Sequence, residues 1–278
     1  MLSIIKALME SLDLAVYSYV KPGAPHRFSP YFKDLHSFIL TFTSTLDTYA
    51  ACVEAGFSVA EGKVGFTNLK IGDLLRDALR FSSRRLGARN IPEFHVVMVP
   101  AVIASSYAMK LGGKNFIENF RKGLNDALMF NDVSETIKVY ESLKSYGGKY
   151  SSIIDGLMLT PTKIRLEGVS IHDLYNEIGR EDLVLNCFTR KLSTLISSSN
   201  IFVNTYLKYG DANKAAVVTY GSLVEELCNI KVLNYLEKKS FTELLKLDKE
   251  LHSKGVSLQY IIPLLCMSIF LGLLTMQR

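Results

Sequence analysis

The stretch from Tyr260 to Met276 carries no charged residue. A helix that is apolar on every side belongs in the middle of a bundle or in lipid. The run lies at the short edge of what spans a bilayer, roughly 17–25 residues, and contains Pro263 and Gly272. We read it as a central buried helix. The competing reading is a membrane tether over Tyr260–Met276.

The rest of the chain agrees with a helical bundle. Apolar residues recur at three- and four-residue intervals over 35–55 and again over 67–86, where Arg76, Asp77, Arg80, Arg84 and Arg85 form the polar side. Val96–Leu111 is rich in small and apolar residues and reads as buried, with Gly112-Gly113 ending it. Two shorter helices follow over 115–129 and 133–146, with Asn131-Asp132 as a cap between them and Gly147-Gly148 as the stop. The segment 151–168, which holds Pro161, reads as irregular. Ser170-Ile171-His172-Asp173 then caps a long helix to about Ser197. Another helix starts near Asp211, an amphipathic stretch covers 231–251, and Val256 starts the last helix. No run alternates with period two beyond a few residues, no repeat is visible, and no Gly/Ser/Pro-rich linker divides the chain. The expectation is one all-α domain over residues 1–278, a multi-helix bundle around a buried apolar C-terminal helix.

The net charge of +5 suits an anionic small molecule. Lys and Arg alternate with Asp and Glu, and no nucleic-acid-binding signature is present, so nucleic acid is not expected as a partner. Cys52, Cys187, Cys228 and Cys266 form no CxxC pair and read as buried thiols of a cytoplasmic protein. His36, His95, His172 and His252 show no zinc spacing. The N-terminal residues read as an amphipathic helix, not a signal peptide.

Two loops carry the candidate chemistry. In Val20-Lys21-Pro22-Gly23-Ala24-Pro25-His26-Arg27-Phe28-Ser29, Pro and Gly stiffen a non-helical path that can hold Lys21, His26 and Arg27 close together. Arg supplies a planar fork for phosphate and Lys a point charge. The same loop also fits a plain solvated turn. In Gly65-Phe66-Thr67-Asn68-Leu69-Lys70, Thr67 and Asn68 offer a hydroxyl and an amide beside a helix start. That is an anion niche or an ordinary N-cap. Asp34 and Asp73 lie near these loops and could hold Mg²⁺, or serve as surface charges.

These segments, in this order, resemble the triphosphoribosyl-dephospho-CoA synthase family. Lys21-Pro22-Gly23 is similar to the family's Lys-Pro-Gly loop, and Lys33-Asp34 with the apolar residues after it to its Lys-Asp helix start. Phe66-Thr67-Asn68-Leu69-Lys70 resembles its Asn-Thr-Asn-Leu-Gly stretch, Val139-Tyr140 and Gly147-Gly148 its Val-Tyr and Pro-Gly-Gly pattern, and Arg180–Val184 a further segment. The resemblance spans nearly the whole chain and implies an all-α fold. It also implies ATP and dephospho-CoA as substrates, Mg²⁺ as cofactor, and attack of a 2′-hydroxyl on C1′ of ATP with loss of adenine. On that basis Lys21, Arg27, Thr67 and Asn68 would bind phosphates. Asp34 and Asp73 would hold the metal, and His26 with Asp34 would act in catalysis.

The chain also departs from the family. Asn213 stands where a carboxylate is expected, Val218-Thr219 replace a basic pair, and Ser257–Pro263 lacks the family's polar groups. A relative that has lost catalysis and serves as a nucleotide-binding or protein-interaction module, pairing with itself or an active partner through apolar faces, is therefore the alternative.

Overall fold

A computed structural model describes residues 1–30, 35–113, 115–231, 236 and 240–277, with the side chain of residue 88 left aside. Among these residues there are α-helices and short 3₁₀ turns and no strand. The all-α expectation therefore holds. In chain order the α-helices are α1 Leu2–Tyr17, α2 His36–Thr43, α3 Leu46–Ala60, α4 Ile71–Leu86, α5 Pro92–Leu111, α6 Phe116–Met129, α7 Val133–Tyr146 and α8 Lys149–Gly156. They continue as α9 Pro161–Glu167, α10 Ile171–Ile178, α11 Leu183–Arg190, α12 Leu192–Tyr209, α13 Ala212–Cys228, α14 Phe241–Ser253 and α15 Ile262–Met276.

Contacts group these elements into two units, one of Met1–Ile5 and Leu40–Arg190, the other of Lys6–Ile39 and Lys191–Arg278. The first is organised on α5, whose residues from Phe94 to Ala108 are all buried. α3 and α6 pack on α5, and α4 packs on α7. Gly56 allows the α3–α5 contact, because a Cβ there would lie 2.3 Å from the Ile103 carbonyl oxygen.

In the second unit α12, α13 and α15 pack together. Every residue of α15 from Ile262 to Leu274 is buried. Gly272 permits its approach to α12, since a Cβ would meet the Phe202 ring at 2.8 Å. α5, and the stretch Gln259–Met276 that contains α15, are long and apolar enough to cross a bilayer, yet 83% and 78% of the 18-residue apolar window of each is buried inside the protein. Their apolar surface already has protein partners.

Several boundaries differ from the sequence expectation, each for a local reason. The helix expected over 35–55 breaks at Ser44-Thr45, whose hydroxyls bond back to the carbonyls of Thr41 and Phe42. The segment 151–168 is mostly helical. Lys149 opens α8, and Pro161 starts α9 in its first turn behind a Thr160 cap. The long helix to Ser197 is three helices. It breaks at Gly179 and Asp182, where the Asp182 carboxylate accepts the Leu185 N–H at 2.8 Å, and again at Lys191. The last helix starts at Ile262, after a 3₁₀ turn. Of the amphipathic stretch 231–251, the described helix is α14, opened by a Ser240–Glu243 capping box. Residues 232–235 and 237–239 lie outside the described residues.

Candidate functional site

In the second unit, the loop after α1 is drawn into the protein. Lys21 is fully buried, and its ammonium donates to the Val16 carbonyl at 3.3 Å, to the Ser18 carbonyl and to Ser18 Oγ at 3.0 Å. Three acceptors match the three protons of an ammonium, so Lys21 caps the carbonyl end of α1. Burial pushes its pKa well below the ordinary lysine value, against a smaller opposing pull from Asp13.

Two residues on, Gly23 adopts φ +80°, a conformation a side chain would strain. Its N–H donates to Asp248 Oδ1 at 2.8 Å, and its carbonyl accepts the Leu258 N–H at 2.7 Å. The Pro22 carbonyl accepts the Tyr220 hydroxyl at 2.5 Å. His26, also fully buried, accepts the Phe28 N–H on Nδ1 at 3.2 Å. That leaves Nε2 as the protonated nitrogen, 3.3 Å from Asp248 Oδ2 at an angle short of a regular hydrogen bond. His252 Nε2 lies 3.5 Å from Asp248 Oδ1. Asp248, in the middle of α14 and buried, is thus the hub of the loop. Of the three candidate residues of this loop, Lys21, His26 and Arg27, only Arg27 is exposed, its guanidinium 5.5 Å from the Tyr19 ring centre. Tyr19 in turn gives its backbone N–H to Asn213 Oδ1 at 2.8 Å and takes Asn213 Nδ2–H on its carbonyl at 2.7 Å. The amide at 213 has a structural partner that a carboxylate, with no donor, could not serve fully.

In the first unit, Thr67 and Asn68 are exposed on the 3₁₀ turn Phe66–Asn68. They do not cap α4. That helix starts at Ile71 behind Lys70, whose side chain makes no capping bond. Its free N–H groups are instead met from α7. Glu135, fully buried, accepts the N–H of Gly72 at 2.9 Å and of Asp73 at 3.2 Å on one oxygen. Gly72 makes this possible, because a Cβ there would lie 2.4 Å from the Glu135 carbonyl oxygen. A carboxylate at the positive end of a helix is stabilising. Lys138 binds Glu135 Oε1 at 2.7 Å and Asp73 Oδ2 at 2.6 Å, Arg76 binds Asp73 Oδ1 at 2.5 Å, and Lys70 stands 3.8 Å from Glu135. Burial works against the charge on Lys138, but its hydrogen bonds to Asp73 and Glu135 prevail and raise its pKa.

The anion niche of α4 is therefore filled by the protein's own carboxylate. Asp73 does not fit Mg²⁺ in this arrangement, because an ammonium and a guanidinium already take its oxygens. No group of three or more His, Cys, Asp or Glu side chains placed to hold a metal occurs among the described residues. Asp34 lies outside the described residues. Cys52, Cys187 and Cys266 are buried and Cys228 half-buried. Burial raises the thiol pKa values of Cys52, Cys228 and Cys266, to about 12 for Cys266. Sequence reasoning missed Asp248 and Glu135. Each sits in an amphipathic helix among other acidic residues, and only its distant partner marks it out.

No protein-family model matches the chain, and no curated protein matches it either. Among solved structures it is similar to a protein of Archaeoglobus fulgidus that is provisionally described as a triphosphoribosyl-dephospho-CoA synthase. The match has a TM-score of 0.53 at 20% identity and covers 83% of this chain and 97% of that one. At that identity the likeness defines a class of fold, the all-α fold of that protein.

Proposed function

We propose that the chain is a divergent triphosphoribosyl-dephospho-CoA synthase-like transferase, which moves the triphosphoribosyl group of ATP to dephospho-CoA or a related nucleotide. The observation that carries this reading is the fold shared over 97% of the Archaeoglobus fulgidus protein. The order of short motifs along the chain supports it. In the reaction the acceptor's 2′-oxygen forms a bond to C1′ of ATP as the C1′–N9 bond breaks. The hydroxyl loses its proton and adenine gains one. Arg27, Thr67 and Asn68 are exposed in the motif loops and would meet phosphate from solvent. Lys21 and His26 would contribute only after leaving their present partners.

The second reading, a non-catalytic relative, is favoured by one specific finding: Glu135 and Lys138 fill the helix terminus where an anion would bind. Calorimetry with ATP, with and without Mg²⁺ and dephospho-CoA, followed by chromatography for free adenine, separates the two. Micromolar ATP binding with adenine release supports the transferase. Binding without adenine supports a nucleotide-binding module, and no binding at millimolar ATP overturns both nucleotide readings in favour of a protein-interaction role.

A further inference from the structure

The unit built on α5 carries two surfaces that complement each other. The first is a recess of about 370 Å³ formed by the end of α8, α9 and α10. Leu157, Met158 and Val169 give it an apolar lining, and Glu167, Asp173 and Glu177 face it; Lys163 stands 3.9 Å from Glu167, Arg180 binds Glu177 at 2.8 Å, and Asp173 accepts the Ser170 hydroxyl, so three carboxylates face two cations. Met158 is 92% exposed, and Leu166 on α9 is 81% exposed. On a chain of net charge +5, an apolar recess lined by three carboxylates stands out.

The second surface is the C-terminal half of α4. Phe81 is 36% exposed, with the Arg80 guanidinium 4.9 Å from its ring centre. Arg84 and Arg85, three and four residues on and both exposed, lie on the same face of the helix. The helix thus presents one aromatic side chain in a collar of arginines, the pattern by which a helix docks into an apolar groove with a charged rim.

We infer that the recess of one copy receives the Phe81 face of α4 from a second copy of this chain. α4 and α9 each pack on α7, so both surfaces border one helix. An isologous dimer forms this contact twice across its two-fold axis. The inference is independent of whether the chain turns over nucleotides.

Sedimentation equilibrium of the full chain tests it. The wild type sediments as a dimer, and raising salt from 0.1 to 1 M weakens it at least tenfold, because the collar and rim charges are screened. Arg84→Glu with Arg85→Glu gives a monomer, and so does Glu167→Lys with Glu177→Lys. An equimolar mixture of the two variants dimerises again, since both contacts of the mixed pair are then complementary. Phe81→Ser, which leaves the charges in place, weakens the dimer at least tenfold, and far-UV circular dichroism checks that each variant keeps its helix content. A monomeric wild type, reversed variants that still dimerise, or a mixture that stays monomeric overturns the inference. So does a monomer whose α4 arginines instead bind heparin, which would assign that face to a polyanion.

Discussion

His95 gives the sharpest test of how this core is built. It lies on α5 with no exposed surface, its Nδ1 2.9 Å from the Tyr49 hydroxyl, beside the rings of Phe94 and Tyr49. Its Nε2 has no hydrogen-bond partner among the described residues. Burial alone holds its pKa at about 3, below the ordinary histidine value of 6.5. Between those two values the unfolded chain binds a proton that the folded chain refuses, so stability falls as pH falls through this window. At about 1.4 kcal/mol per unit, going from pH 7 to pH 4.5 costs about 2.5 kcal/mol from this residue. The figure depends mainly on the unfolded value, because folded His95 is still neutral at pH 4.5. Urea unfolding followed by circular dichroism at the two pH values measures the loss. Carboxylates with lowered pKa, such as Glu61 held near 2 chiefly by its hydrogen bond to Lys110, begin to lose their own contribution near pH 4.5 and lose most of it below. His95→Gln keeps a hydrogen-bonding amide for Tyr49 and does not titrate. The wild type should lose about 2.5 kcal/mol more than this variant between pH 7 and 4.5. Equal losses in the two proteins would refute the argument.

Asp248→Ala strips the buried hub from the loop at 22–28 and leaves the Gly23 N–H unpaired, at a cost of about 3 kcal/mol in urea unfolding. Asp248→Asn keeps an acceptor for that N–H and should cost less, and a loss below about 1 kcal/mol for the alanine variant would remove Asp248 as the anchor. Lys21→Met leaves three acceptors at the end of α1 without their donor and should lower stability by about 2 kcal/mol. Measured beside ATP affinity, it also separates two roles. Lost stability with unchanged affinity assigns Lys21 to the helix cap, and lost affinity at unchanged stability assigns it to phosphate.

The fold was legible where a single helix face or a local cap decides it. The uncharged run at 260–276 announced α15, and Asp132, Ser170 and Asp211 marked helix starts that the structure places behind the same side chains. Breaks were harder, because they depend on competition. Ser44 and Thr45 satisfy helix carbonyls with their own hydroxyls, and Pro161 reads as a breaker although the first turn of a helix tolerates it. The candidate site was legible only as a list of residue types. Nothing in Lys21-Pro22-Gly23 says that the lysine turns back to α1, and nothing near Thr67 says that a carboxylate more than sixty positions away reaches the same helix end first.

That last point bears on what the α4 terminus can bind. Around it stand three carboxylates, Asp73, Glu135 and Asp132, and three cations, Lys70, Arg76 and Lys138. The charges balance, and an anion would be favoured at this helix end only if Glu135 gave way. Glu135 is buried, and a phosphate that displaced it would leave a carboxylate without its helix partners, a penalty of several kcal/mol. A phosphate drawn to this end of α4 is therefore more easily held from outside, by the exposed ammonium of Lys70 with Thr67 and Asn68 on the preceding turn, while Glu135 stays as the internal cap. Glu135→Gln separates these arrangements. If the carboxylate is the internal cap, the change weakens α4 and leaves any ATP affinity nearly unaltered. If it blocks the niche, removing its charge tightens ATP binding tenfold or more.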